Sequence, residues 1–132
     1  MLGQGISIPS LQGIANLKPH IVGLLDTFSV TGQQWLRTDL VPEGKLWQVA
    51  YSSFGFNSGD VSDCLYEIED SVNTRVAVLS MQPDLAAATT IDLTGGFWVN
   101  EGKKLGARFD VTTVSPTCWL TVTYLEFVTG GY

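Results

Sequence analysis

A five-residue pattern occurs twice in this chain with four positions identical, Val41-Pro42-Glu43-Gly44-Lys45 and Val99-Asn100-Glu101-Gly102-Lys103. Proline fixes φ, and glycine takes a positive φ without a Cβ clash, so Pro42-Glu43-Gly44 makes a tight turn at low cost. What leaves each turn alternates. Leu46 and Gln48 point one way, with Trp47, Val49 and Tyr51 expected on the other; Leu105, Ala107, Phe109 and Val111 share one side of the second segment. A period of two is the signature of a strand with one buried face. Two similar turn-then-strand units predict two sheets built alike and packed face to face.

The rest of the chain agrees with an all-β reading. Residues 21–30, 33–40, 45–56, 61–70, 75–81, 90–93, 105–114 and 118–128 carry strand patterns, separated by Gly, Pro, Asn and Ser clusters. Residues 82–90 are expected to form a loop. About eight strands at regular spacing, without a helix, predict an antiparallel sandwich or barrel. Two four-stranded halves suit a jelly roll best, with an immunoglobulin-like sandwich as the alternative. Residues 1–20 stand apart as an extended N-terminal arm, and residues 21–132 form the one sandwich domain. In the arm Ile6, Ile8, Leu11, Ile14 and Leu17 are interleaved with Gly3, Gly5, Pro9, Gly13 and Pro19, which break any long helix. Such apolar studs cannot build a core alone, so Ile6, Ile8, Pro9, Leu11, Ile14 and Leu17 are expected to bind a partner.

Composition narrows the partner. Charged residues are 15% of the 132, against roughly 25% in ordinary soluble domains. A small domain with so few charges exposes much weakly polar surface, which usually ends against another chain. Seven Lys and Arg against 13 Asp and Glu give no basic stripe for phosphates, so no nucleic acid is expected. No apolar run approaches the ~18 residues of a membrane-spanning helix. The first 20 residues also lack the basic start and unbroken apolar core of a secretory signal. The chain is therefore expected to be made in the cytoplasm and to engage no membrane.

Candidate chemistry is sparse. His20, the single histidine, is expected to be an ordinary arm residue, which leaves a Ser-His-Asp triad without a base. Asp63, Glu67 and Glu69 share one face of a strand at a spacing compatible with a carboxylate pair, but are read as a solvated face. Cys64 and Cys118 have no metal-ligand spacing and are read as buried, reduced thiols. Trp35, Trp47, Trp98 and Trp119 are candidates for stacking against sugar rings, although core or interface packing explains their positions. There is no phosphate-binding glycine motif. No enzyme activity and no cofactor is expected.

The segments LVPEGKLWQV, FWVNEGKKLGARFDV and CWLTVTYLEFV, which lie within residues 39–128, resemble the small jelly-roll virion proteins of tailed bacteriophages: capsid decoration or cement proteins and the related fibre tips. Tumour-necrosis-factor-like trimers share much of the pattern. The resemblance implies a homotrimer located in the virion, with the arm or the domain base holding the major capsid protein or another virion protein. It implies a structural role that stabilises a phage shell, the alternative being a carbohydrate- or receptor-binding module of a fibre or tail.

Overall fold

A computed structural model describes residues 18–129, apart from Gly59, Ala86 and Val114. Nine strands follow in order: β1 (His20–Thr27), β2 (Gly32–Arg37), β3 (Lys45–Phe56), β4 (Val61–Glu69), β5 (Arg75–Gln82), β6 (Thr89–Leu93), β7 (Phe97–Asn100), β8 (Lys104–Val111) and β9 (Thr117–Val128). All pairings are antiparallel. One sheet runs β1-β9-β3-β6 with β7 also on β3, and the other runs β2-β8-β4-β5. Apart from the β4–β5 hairpin and the β6–β7 pair, successive strands cross between the sheets, as in a jelly roll. The ninth strand arises because β6 and β7 are one sheet edge broken at residues 94–96.

The repeated pentapeptide makes two of the corners where the chain crosses between sheets. The first leads from β2 to β3, the second from β7 back to β8. Gly44 and Gly102 have φ of +75° and +74°, so the two turns have the same local geometry. The Lys45 N–H donates to the Pro42 carbonyl at 3.1 Å, and the Lys103 N–H donates to the Asn100 carbonyl at 3.2 Å. The turns also bond to each other. Val41 N–H donates to the Lys103 carbonyl at 2.7 Å, and Gly102 N–H to the Val41 carbonyl at 2.9 Å. The strands that leave them, β3 and β8, lie in different sheets, as the repeat predicts.

Between the sheets the core is apolar and aromatic. Val41, Val49, Phe54, Phe56, Tyr66, Leu105, Phe109 and Leu120 are at most 1% exposed. The Ser52 hydroxyl and the Tyr66 hydroxyl lie 2.9 Å apart, so the phenol enters the core with its polar atom satisfied. Cys64 and Cys118 are both buried and unpaired with each other, as expected of reduced thiols.

Several boundaries and facings differ from expectation. His20 opens β1 rather than ending the arm, and its ring stacks on Tyr124 at 5.2 Å. Tyr51 does not share the face of Trp47 and Val49. Thr123 pairs with Tyr51 and Tyr124 with Val49, so Ala50 is an extra residue. That bulge turns Tyr51 outward. The arm residues Ile6, Ile8, Pro9, Leu11, Ile14 and Leu17 lie outside the described residues.

Candidate interaction surface

The outer face of the five-stranded sheet is built on its two longest strands, the adjacent β9 and β3, of 12 residues each. Their register sets the rows. Leu25, Trp119 and Gly55 lie side by side; below them come Gly23, Thr121 and Ser53, then Ile21, Thr123 and Tyr51. Beyond the bulge Leu125 lies beside Gln48, and Phe127 beside Leu46. Trp98 of β7 pairs with Gln48, and its ring lies 5.7 Å from that of Phe127.

Two local features flatten this face. A Cβ at Gly55 would stand 2.2 Å from the Thr89 carbonyl oxygen and 2.9 Å from Cζ2 of Trp119. The glycine therefore lets the indole lie down on the sheet. At the other end Trp98 and Phe127 form a second aromatic corner. Between them run threonine, serine and glycine. The one acid in these rows is Asp92, which pairs with Ser53 and accepts a hydrogen bond from the Tyr51 hydroxyl at 2.7 Å. That bond raises the Tyr51 pKa, so the phenol stays neutral.

Exposure marks the surface as apolar and uncovered. Leu25 is 73% exposed, Ile21 71% and Trp98 51%. Single exposed apolar residues are ordinary; here several stand on one sheet face, separated by small uncharged residues, with a single acid among them.

The outer face of the four-stranded sheet is the chemical opposite. Arg37 Nε lies 2.8 Å from Glu69, Arg75 Nε 2.7 Å from Glu67, and Arg108 Nε 2.9 Å from Asp110. Here the expectation of a solvated carboxylate row fails. Glu67 is 2% exposed and Glu69 is fully buried. They are covered because β4 is an inner strand with long side chains reaching over it from β2 and β5, which strand alternation alone does not reveal. Gly106 of β8 makes the room: a Cβ there would stand 3.0 Å from the Glu69 carboxylate. Burial, and then the hydrogen bond with Glu69, raise the Glu67 carboxyl above its ordinary value against the pull of Arg75. The pair reads as a structural clasp of four charges, satisfied within the sheet.

The four tryptophans are not brought together. Trp47 is buried in the core, 4.0 Å from the ring of Tyr124, with Nε1 donating to Glu126 at 3.0 Å. Trp35 lies under the Arg37 guanidinium at 4.3 Å, beside the charged face. Trp98 and Trp119 share the uncharged face but lie at opposite ends of it. Among the described residues, no group of three or more His, Cys, Asp or Glu is placed to hold a metal ion.

No family model and no curated protein matches the sequence. Solved structures match the fold at low identity. A protein of the Bacillus endospore appendages, a family of disulfide-linked pili, has a TM-score of 0.43 and 8% identity over 87% of this chain and 92% of that one. The capsid of the extra small virus of the prawn Macrobrachium rosenbergii gives 0.38 and 13%, over 83% and 79%. Latent PorU of Porphyromonas gingivalis gives 0.45 and 7%, over 85% of this chain but 13% of that one. These are similarities of β-sandwich architecture.

Proposed function

We propose that this chain is a structural subunit of a protein particle: a capsid decoration or cement protein of a phage virion, not an enzyme. It forms a homotrimer and binds across the subunits of the shell. The observation that carries the reading is the outer face of the five-stranded sheet, where Asp92 is the one charge across the rows from β1 to β6. A monomer in water gains nothing from such a face. Closed packing of copies around an axis covers it, at roughly 25 cal/mol per Å² of apolar surface before the costs of association. The uncharged arm, residues 1–17, supports the same reading, since it supplies apolar side chains for further contacts on the particle.

Sedimentation of the wild-type chain and of Thr121→Glu and Trp98→Glu variants tests this. Both substitutions point outward, so the sandwich keeps its Tm. The wild type is expected at three times the 14.3 kDa of one chain, and the variants shift towards monomer. A wild-type monomer at micromolar concentration sinks the proposal. A fibre-tip module that stacks a sugar on Trp98 is the second reading, favoured by the exposure of that ring beside Phe127. Glycan binding lost in Trp98→Ala with the mass unchanged would establish it instead.

A further inference from the structure

Strand β1 is the edge of the five-stranded sheet, and among the described residues β9 is its one sheet partner. Natural edges are usually blunted by charge, proline, bulges or brevity. β1 has none of these along His20–Leu25: eight residues long in all, it carries no Pro, pairs with β9 without a bulge, and meets its first acid at Asp26.

Both sides of that edge are apolar. On the outside stand Ile21 and Leu25. On the inside, Val22 and Leu24 wall a cleft of about 280 Å³ whose far side is the chain from Arg37 to Pro42 and whose floor includes Trp47 and Tyr124. Of the three charges at its rim, Asp39 is exposed to water and the other two are engaged. Arg37 is held by Glu69, and Glu126 by Trp47 Nε1 at 3.0 Å and Lys45 at 3.9 Å. A strand laid along β1 would therefore send alternate side chains into the cleft and set the others beside Ile21 and Leu25.

We propose that the free edge of β1 and the cleft behind it accept residues 1–17 of a second copy of this chain. This rests on the reading of the protein as an assembling subunit and adds a surface distinct from the sheet face. The chemistry matches. Residues 1–17 contain no Asp, Glu, Lys, Arg or His, while Ile6 and Ile8 alternate as a strand requires. Pro9 has no N–H to donate and is tolerated on an outer strand. The described chain starts at Lys18, two residues before β1, and 17 extended residues reach up to about 55 Å, longer than any strand here.

The copy is a second one because of the junction. A two-residue hairpin at Lys18-Pro19 would need positive φ at both residues or at Lys18 alone; Pro19 cannot take it, and Lys18, before a proline, is held extended. Its own β1 is then reached only through a longer loop drawn from the arm itself, which shortens what is left to pair.

The test compares the full chain with a full-length Ile6→Asp/Ile8→Asp variant, by hydrogen–deuterium exchange and sedimentation across a concentration series. In the wild type, the β1 amides that do not pair with β9 are expected to exchange slowly, with protection growing as the mass rises above one chain. The variant is expected to lose that protection while the amides of β3, β8 and β9 keep theirs. Protection unchanged on dilution to monomer would place the arm on its own β1 and overturn the proposal. So would fast β1 exchange in an assembled wild type, or a variant that unfolds. Thr121→Glu separates the two surfaces: if it dissociates the protein and the arm variant does not, the arm proposal fails and the sheet-face reading stands. If neither substitution changes the mass, both fail.

Discussion

Glu67 is the residue whose behaviour departs most from its type. Its carboxyl is raised above the ordinary value by burial and by Glu69, while Arg75 pulls the other way. A raised folded-state pKa makes a stabilising contribution that is complete below the unfolded value, about 4.3 for glutamate, and is lost as pH rises through the folded value. Glu67→Gln removes that loss and leaves Arg75, 46% exposed along its side chain, free to hydrate. The variant is expected to melt no lower than wild type at neutral pH and to show a flatter dependence of Tm on pH above the carboxylate range. A calorimetric pH series on both proteins decides it, and a variant that melts lower at neutral pH while keeping the wild-type slope would contradict it. The two thiols make a second residue-level prediction. Burial pushes Cys64 and Cys118 up to about 12. At pH ~8 the thiolate fraction is then on the order of one in ten thousand. Neither should react with a maleimide in the folded state, and both should react in denaturant.

At the scale of elements, the repeated turn is the unit that holds the sandwich closed. Gly44 and Gly102 occupy positive φ with nothing within 4 Å of a built Cβ, so space is not what requires glycine there. The cost of Gly44→Ala or Gly102→Ala is the left-handed backbone, ~1–2 kcal/mol each. The turns exchange hydrogen bonds through Val41, Gly102 and Lys103, so the sites are coupled. The double variant is expected to depart from the sum of the singles by ~0.5 kcal/mol or more, as neighbours in one network do. Urea midpoints of the four proteins measure it. Strict additivity would mean that the turns act as independent hairpins.

On the scale of the whole molecule, the distribution of charge divides the sandwich. One outer face holds the ion pairs Arg37–Glu69, Arg75–Glu67 and Arg108–Asp110; the other holds Asp92 amid threonine, serine and aromatics. The charged face pairs its acids and bases within one chain, although Val78 and Met81 of β5 stand 45% and 57% exposed in the same sheet, while the uncharged face offers water almost no charge. The two proposed contacts are continuous, because β1 contributes Ile21 and Leu25 to the uncharged face and its free edge to the arm. Low salt dependence of assembly is the expected consequence, since neither contact rests on ion pairs. Sedimentation at low and high ionic strength should give the same mass, and dissociation by salt would locate the interface on the charged side instead.

The sequence by itself determined the local half of this protein. Period-two alternation marked which residues of β8, and of β3 as far as Val49, face the core, because a pleated strand offers each side chain only two directions. The repeated Val-x-Glu-Gly-Lys fixed two equivalent corners, because positive φ at glycine is a property of the residue. The want of charge in the long strands pointed to a weakly polar surface, and the outer face of the five-stranded sheet is one. Tertiary structure decided the rest. Whether an outward residue is wet depends on its neighbours: Glu67 and Glu69 alternate as a solvated row should, yet side chains from flanking strands bury them. The bulge at Ala50, which turns Tyr51 outward, exists because β3 must match β9, which a single strand cannot register. Trp98 and Trp119 share a face, and Trp35 and Trp47 leave it, only because sheet order sorts strands distant in the chain. The cleft beside β1 belongs to no segment at all, since its walls come from four separate stretches that meet where the two sheets part.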